Sequence, residues 1–361
     1  MKKQTKAAWM NVTMAIISAV AVSLCLYNNA AAQTTKTDTT SNNGAIPVKV
    51  MIISAFAGEA AVWITNQGLK QSISVPGLSA DYPAVACNDA GVCHVTTGPG
   101  HTNAAGSMIA LLLSSKFDLK HTYFLIAGIA GVNPRQATIG STAWARYVVD
   151  VGIINEFDAR DMPAGWAVGL FGVRTRGPGE KPPAFRYHTE MFRLDEALLQ
   201  KALALTVNAQ LDDNDVTRAY RAKYGYAPAN EPPAVVQCDI IVSDTFRRGE
   251  LLAQHSEQWM RLLTDGAGRY CVGNQEDTAI LNAMTRAARV GLMDLKRVAV
   301  LRAGSDFDRP YPGQTAYESY LAEWSRFGQA SAFANLYNVG SLWVNDVVRR
   351  WDIWEAGIPI D

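Results

Sequence analysis

Three carboxylic acids, Glu59, Glu276 and Asp306, each stand as the first acid after an apolar run. Glu59 follows 47–56 (PVKVMIISAF), Glu276 follows 270–272 (YCV), and Asp306 follows 298–305 (VAVLRAGS). In open α/β sheets ligands gather just beyond the carboxyl ends of strands. A carboxyl group there can pass a proton to or from a ligand, or hold charge against it. Three glycine-containing turns accompany the acids, at 97–100 (TGPG), 128–131 (GIAG) and 302–305 (RAGS). Glycine lets backbone approach a ligand closely. A plainer reading attaches to the same positions: an acid after a strand often caps or charges the first turn of the next helix.

Such residues need a scaffold of alternating strands and helices. The run 47–56 is short, almost continuously apolar and rich in β-branched residues, which suits a strand buried on both faces. A turn-rich hairpin follows at 87–93 (CNDAGVC), then a strand at 92–97, a helix at about 102–114 and a buried strand at 123–127. Further strands are expected at 235–243, 269–272 and 298–302, with a helical period at 276–290. This alternation predicts an α/β fold with a mixed, mostly parallel, twisted sheet and helices on its faces. Between 156 and 233 the pattern is irregular, with loops at 177–183 (GPGEKPP) and 227–233 (APANEPP) around helices near 194–204 and 216–223. We read that stretch as an insertion in one domain running from 46 to 361.

The chain opens with Lys2, Lys3 and Lys6, runs without charge from about residue 10 to 26, and reaches Ala30, Ala31 and Ala32 before Gln33. That is a signal-peptide profile, with cleavage expected after Ala32 and residues 33–45 a flexible tether. The alternative is an uncleaved anchor, since roughly 17 apolar residues sit at the short edge of a membrane span. Export implies a periplasmic or secreted protein. Removing residues 1–32 takes three lysines and no acid from a chain with 33 basic and 33 acidic side chains, leaving it slightly acidic. That charge lacks the basic footprint of a nucleic-acid binder, and no later run is long enough to cross a membrane. A small molecule is the expected partner. In an oxidising compartment Cys87 and Cys93 are expected to form a disulfide, the alternative being two free thiols beside a turn; Cys238 and Cys271 are expected as unpaired core residues. The five histidines are scattered without ligand spacing, so neither a metal site nor a cofactor is expected.

The order and context of these segments resemble the nucleoside phosphorylase and nucleosidase superfamily over about 47–320. VKVMIISAFAGEAAVW looks like the opening strand and acidic turn of methylthioadenosine/adenosylhomocysteine nucleosidases, and FLIAGIAGVNPRQATIGSTAWA like their glycine-rich strand. VGNQEDTAIL and VAVLRAGSDFD are similar to the ribose-binding Glu motif and the Arg-Ala-x-Ser-Asp motif. With its N-terminal segment, its insertion and the GNQEDTA run, the chain looks most like the purine nucleoside permease family. The resemblance implies a three-layer nucleoside phosphorylase-like fold and purine nucleosides as ligands. It assigns Asp306 to protonate purine N7, with Asp308 as a competitor, and Glu276 to hold the ribose hydroxyls. Gln275 would line the sugar and Phe246 stack on the base, with Gly131 and Ser305 lining the site. Arg302 is expected to orient the Asp306 loop.

Glu59 separates two reactions. A carboxylate at this turn can activate water, whereas the superfamily's phosphorylases place a Gly-Asp-x-x-Arg motif there to bind phosphate. This chain has Ala57-Gly58-Glu59 and no arginine, which favours hydrolysis. It departs from related enzymes at Ile129, where they carry a serine or threonine able to bond the nucleophile. His101 and Asn103 could replace such contacts, or could belong to a helix terminus. Three readings therefore stand: a purine nucleosidase, a non-catalytic nucleoside binder serving a membrane transporter, and a phosphate-dependent phosphorylase. Superfamily pockets are often completed across subunits, which implies a homo-oligomer.

Overall fold

The computed structural model describes residues 44–360. The expected signal peptide and nearly all of the tether lie outside the described residues. A mixed sheet of twelve strands forms the centre, and we number its strands in chain order. They are β1 (Val50–Ser54), β2 (Gln71–Ser74), β3 (Ala84–Cys87), β4 (Val92–Thr96), β5 (Tyr123–Val132), β6 (Thr142–Trp144), β7 (Tyr147–Asp150), β8 (Met191–Arg193), β9 (Val235–Gln237), β10 (Asp239–Val242), β11 (Tyr270–Asn274) and β12 (Val298–Phe307). The order β8-β7-β10-β11-β5-β1-β4-β3-β2 runs across the sheet, and β12 leaves this path to pair with β5 and β6. Pairing is parallel through β4-β1-β5-β12 and through β7-β10-β11. It turns antiparallel where β11 meets β5 and in the β2-β3-β4 meander.

Helices cover both faces: α1 (Ala57–Asn66), α2 (His101–Leu112), α3 (Glu196–Thr206), α4 (Asp215–Arg221), α5 (Glu250–Leu263), α6 (Asp277–Arg289), α7 (Ala316–Glu323) and α8 (Gln329–Arg349). One core joins β1, β4 and β5 to α2 and α6 through residues such as Ile53, Val95, Met108, Ile126 and Met284. A second joins the other face to α8 through Trp63, Leu125, Leu336, Trp343 and Val347. Close packing forces glycine at Gly340, where a Cβ would lie 2.6 Å from the Trp63 ring. Each face therefore buries an apolar helix stripe, as a sheet buried on both sides requires.

Several expectations change in three dimensions. The stretch 235–243, expected as one strand, is two in the structure, because 235–237 pair with β6 while 239–242 pair with β7 and β11. Part of the irregular 156–233 stretch belongs to the scaffold: β8 extends the sheet, and α3 buries Leu198, Leu199 and Ala202 in the second core. Cys87 and Cys93 face each other across β3 and β4 and are disulfide-bonded. Cys238 and Cys271 are buried as expected, but they are not unpaired. The β10–β11 pairing brings their Cα atoms to 5.6 Å, within disulfide reach, and they are bonded to each other.

The larger change concerns the glycines. Residues 128–131 and 302–305 are not turns; they lie in the second halves of β5 and β12, which pair in parallel from Val298–Phe124 to Phe307–Val132 with one register shift between Gly304 and Asp306. A Cβ at Gly128 would lie 2.2 Å from the Arg302 guanidinium and 2.4 Å from Glu59. One at Gly304 would lie 2.3 Å from Val132. The missing side chain at Gly128 makes room for charged groups packed against the strand and that at Gly304 for Val132, and no left-handed backbone is involved.

Candidate active site

A cavity of about 270 Å³ opens over the ends of β1, β5, β11 and β12. Glu59, Gly131, Phe246, Gln275, Glu276, Ser305 and Asp306 all line it, so the fold gathers residues spread over nearly 250 positions of sequence. A second, smaller cavity of about 80 Å³ adjoins it, sharing Gly131, Phe246, Gln275 and Asp306 and adding the apolar Val151, Ile241 and Ala253. Phe246 stands at the rim of both and is 87% exposed.

Glu59 lies in the first turn of α1, yet its carboxylate does not simply serve that helix. Its two oxygens accept from the backbone N–H of Ala55 and of Ile129, each at 2.7 Å, the second on a different strand. The side chain is 1% exposed. Burial pushes its pKa up to about 7, against the lowering pull of Arg302 and of the Ala55 amide. Such a group can exchange a proton near neutral pH.

Glu276 sits at the N-cap position of α6 but makes no capping bond to it. Its carboxylate instead accepts from the Gly100 N–H at 3.0 Å, at the start of α2. Below both glutamates lies the buried Arg302. Its guanidinium pairs with Asp277, approaches Glu276 at 3.7 Å and Glu59 at 3.9 Å, and donates to the Ile129 carbonyl at 3.4 Å. Burial opposes its charge, but Asp277, Glu276 and Glu59 together outweigh that and raise its pKa. Arg302 thus holds the two glutamates and not the Asp306 loop. The reason is the irregularity in β12 between Gly304 and Asp306: Arg302 pairs with Gly128 and Asp306 with Gly131, an odd step along β5 that puts the two side chains on opposite faces of the sheet.

Asp306 is in the last turn of pleat of β12, across from Gly131, whose missing side chain leaves the carboxylate open to the cavity. Ser305 Oγ donates to Asp306 Oδ1 at 2.7 Å, and Arg248 donates to Oδ2 at 3.0 Å. Arg248 also grips Glu323, at the end of α7. Glu323 lines the cavity with Arg326, Phe327 and Gln329. Burial first, and then the neighbouring Asp306 charge, push the Glu323 carboxyl up to about 9, with Arg248 pulling the other way. Asp308, the competitor for the role of Asp306, is buried and engaged by Tyr270 Oη at 2.8 Å and Arg309 Nε at 2.8 Å. It lines the smaller cavity.

His101 and Asn103 do not line either cavity. Asn103 donates to the Pro99 carbonyl at 2.8 Å, a bond within the start of α2. His101 lies 3.0 Å from Asp244 and 3.6 Å from Asp150, which chiefly raises its pKa, and its Nε2 meets Thr278 Oγ at 2.8 Å. The helix-terminus reading describes both residues. Asp277, Arg248, Glu323 and Arg326 join the site although the sequence does not lead one to expect them there. Asp277 stands inside the GNQEDTA run and was legible as a second acid there, whereas nothing in AEWSRFGQA marks Glu323 or Arg326. Among the described residues, no group of three or more His, Cys, Asp or Glu is placed to hold a metal ion, and no helix is long and apolar enough to cross a membrane.

The profile of the purine nucleoside permease (NUP) family matches residues 47–359. A probable purine nucleoside permease of Schizosaccharomyces pombe is 37% identical over 318 residues, covering 85% of this chain and 90% of that protein. The purine nucleoside permease of Candida albicans is 36% identical over 315 residues, covering 86% of this chain and 77% of its own length. Among solved structures, the 5'-methylthioadenosine/S-adenosylhomocysteine nucleosidase of Neisseria meningitidis superposes with a TM-score of 0.51 at 16% identity, covering 82% of this chain and 99% of that one. Futalosine hydrolase of Helicobacter pylori gives 0.50 at 13% identity, over 82% of this chain and 98% of that one. At such identities the likeness is one of fold, the nucleoside phosphorylase-like α/β fold. The sequence match is of another order, and by it the chain belongs to the purine nucleoside permease family.

Proposed function

We propose that this protein binds purine nucleosides in the cavity over β1, β5, β11 and β12 and hydrolyses their N-glycosidic bond to base and ribose. The observation that carries the reading is the placement of Glu59, Glu276 and Asp306 on one cavity, with Glu59 raised to about 7. Glycosidic cleavage passes through an oxocarbenium-like state that needs an acid on the leaving group and negative charge near the sugar. Asp306 gives its proton to purine N7, and the electron pair of the breaking C1′–N9 bond passes into the base. Glu276 holds the ribose hydroxyls and its charge stabilises the cationic sugar. Glu59 takes a proton from the water whose oxygen bonds to C1′. Arg302, sealed beneath, keeps both glutamates in place.

Water is favoured over phosphate by the same geometry. The amides of Ala55 and Ile129, which face the cavity floor, are already bonded to Glu59, and the nearby guanidinium of Arg302 is engaged by three carboxyl groups. A phosphate seated beside Glu59 would meet negative charge, with both of these amides already taken. A second reading, a non-catalytic binder that hands nucleosides to a transporter, is favoured by Ile129, which lines the cavity without a hydroxyl to orient water. Incubating the purified protein with adenosine, inosine and guanosine, with and without phosphate, and following free base by chromatography decides among them. Release without phosphate is the expected result. Release only with phosphate makes the protein a phosphorylase, and binding without release leaves the binder. We further place its action outside the cytoplasm, on the N-terminal pattern that ends at Ala32 and on two disulfides of a kind rare in reducing compartments. N-terminal sequencing of the exported protein, expected to begin at Gln33, tests that placement.

A further inference from the structure

The arrangement around Arg248 is not explained by the roles given so far. Its guanidinium joins Asp306, on β12, to Glu323, on α7, and also donates to the Phe307 carbonyl and to Ser319 Oγ, both at 2.9 Å. Asp306 and Glu323 keep side-chain exposures of 24% and 20%, and the two carboxyl groups meet on that one guanidinium. Arg326, from the segment after α7, faces the same cavity, as do Glu59 and Glu276. Two half-buried carboxyl groups thus share one cation. Two negative charges at such range repel, and a single shared proton removes the excess.

We propose that Glu323 is a positioning residue that holds the proton Asp306 transfers: the two carboxyl groups share one proton beside Arg248, and Glu323 restores it to Asp306 after each transfer to a bound purine. The identity of the ligand rests on the reading under Proposed function. In one cycle the Asp306 O–H bond breaks as N7–H forms. With both carboxylates then bare, Glu323 takes one proton from solvent and shares it again with Asp306, while the proton that Glu59 removed from water is released to solvent. Charge and protons balance over the turnover. The raised carboxyl of Glu323, at about 9, agrees with its being the proton carrier at neutral pH. It also sets the pH at which the device fails, since above that value the pair has lost its shared proton.

The experiment compares binding of adenine with that of 7-deazaadenine, which lacks the N7 acceptor, between about pH 6 and pH 10, alongside nucleoside hydrolysis. The wild-type protein is expected to prefer adenine about tenfold at neutral pH, the value of one hydrogen bond to a proton-sharing carboxyl pair. That preference is expected to vanish as pH passes about 9. In Glu323→Gln it is expected to vanish at a pH at least one unit lower, with kcat reduced and KM little changed, while Glu323→Asp restores the wild-type dependence in part. If Glu323→Gln keeps the wild-type pH dependence, or if wild type binds both bases equally at every pH, the proposal is overturned. Should Glu323→Gln not fold, the shift in Glu323→Asp decides, and its absence overturns the proposal equally. A wild-type protein that shows the adenine preference but releases no base from nucleosides removes the nucleosidase reading and the turnover step with it, and leaves the shared proton of Asp306 and Glu323 standing.

Discussion

Around Arg302 the cavity floor is sealed: Glu59, Glu276 and Asp277 converge on one guanidinium, and all four side chains are 6% exposed or less. Around Arg248 the wall is open: Asp306 and Glu323 meet one guanidinium with about a fifth of each side chain in water. The first cluster hangs on strand ends and the first turns of helices that follow them. The second joins a strand end to α7, which the chain reaches late. A sealed cluster fixes geometry, because charges in low dielectric cannot be moved apart cheaply. An open one can exchange protons with solvent. The division assigns the sugar and the water to the rigid side and the leaving base to the proton-exchanging side.

Substitutions test that division, beginning with the sealed side. Arg302→Leu leaves three buried carboxyl groups without their cation, and we expect a loss of about 3–5 kcal/mol of folding stability, read from urea unfolding. A loss below about 1 kcal/mol would remove the argument that this cluster is held by charge. Asp306→Asn, on the open side, is expected to cut kcat for nucleoside hydrolysis by about 10²–10⁴ while nucleoside binding persists. Hydrolysis left intact would show that Asp306 is not the acid. Glu59 carries the pH dependence of the rigid side. As a base it works only when deprotonated, so the rate should rise with pH through about 7, and Glu59→Gln should lose about 10² in kcat together with that rising limb. A mutant that retains the limb would place the titration elsewhere. The smallest effect is expected at the rim, where Phe246→Ala should raise KM about fivefold, roughly 1 kcal/mol of aromatic contact. Thermal stability should not change, since the ring is already 87% exposed. A fall in melting temperature would mean the ring packs against the protein.

The three acids were legible because each ends an apolar run, and a run buried on both faces can only be a strand whose exit faces the ligand side of the sheet. The helix-cap alternative was equally legible, and only the observed bonds separate the two. Glu276 sits at a cap position and bonds Gly100, 176 positions away, instead of its own helix. The glycines were legible as special but not as strand. The reason at Gly128, the Arg302 and Glu59 side chains lying where a Cβ would stand, exists only once β5 and β12 are paired. The pairing of Cys238 with Cys271 escaped the sequence for the same reason, since 33 residues separate them and strand order alone brings them together. Likewise α8 lies beyond the segments that carried the family resemblance, although its apolar stripe covers one face of the sheet.

By itself the sequence determined the fold class, the family and the three carboxyl groups, because periodicity and short motifs are local and survive without knowledge of what packs against what. The tertiary structure decided which charges share a counter-ion. It set Arg302 under Glu59 and Glu276 instead of beside Asp306, and it gave Asp306 a partner in Glu323. Coulombic pairing and burial depend on distances of a few ångströms between residues far apart in the chain, and no local pattern encodes those distances.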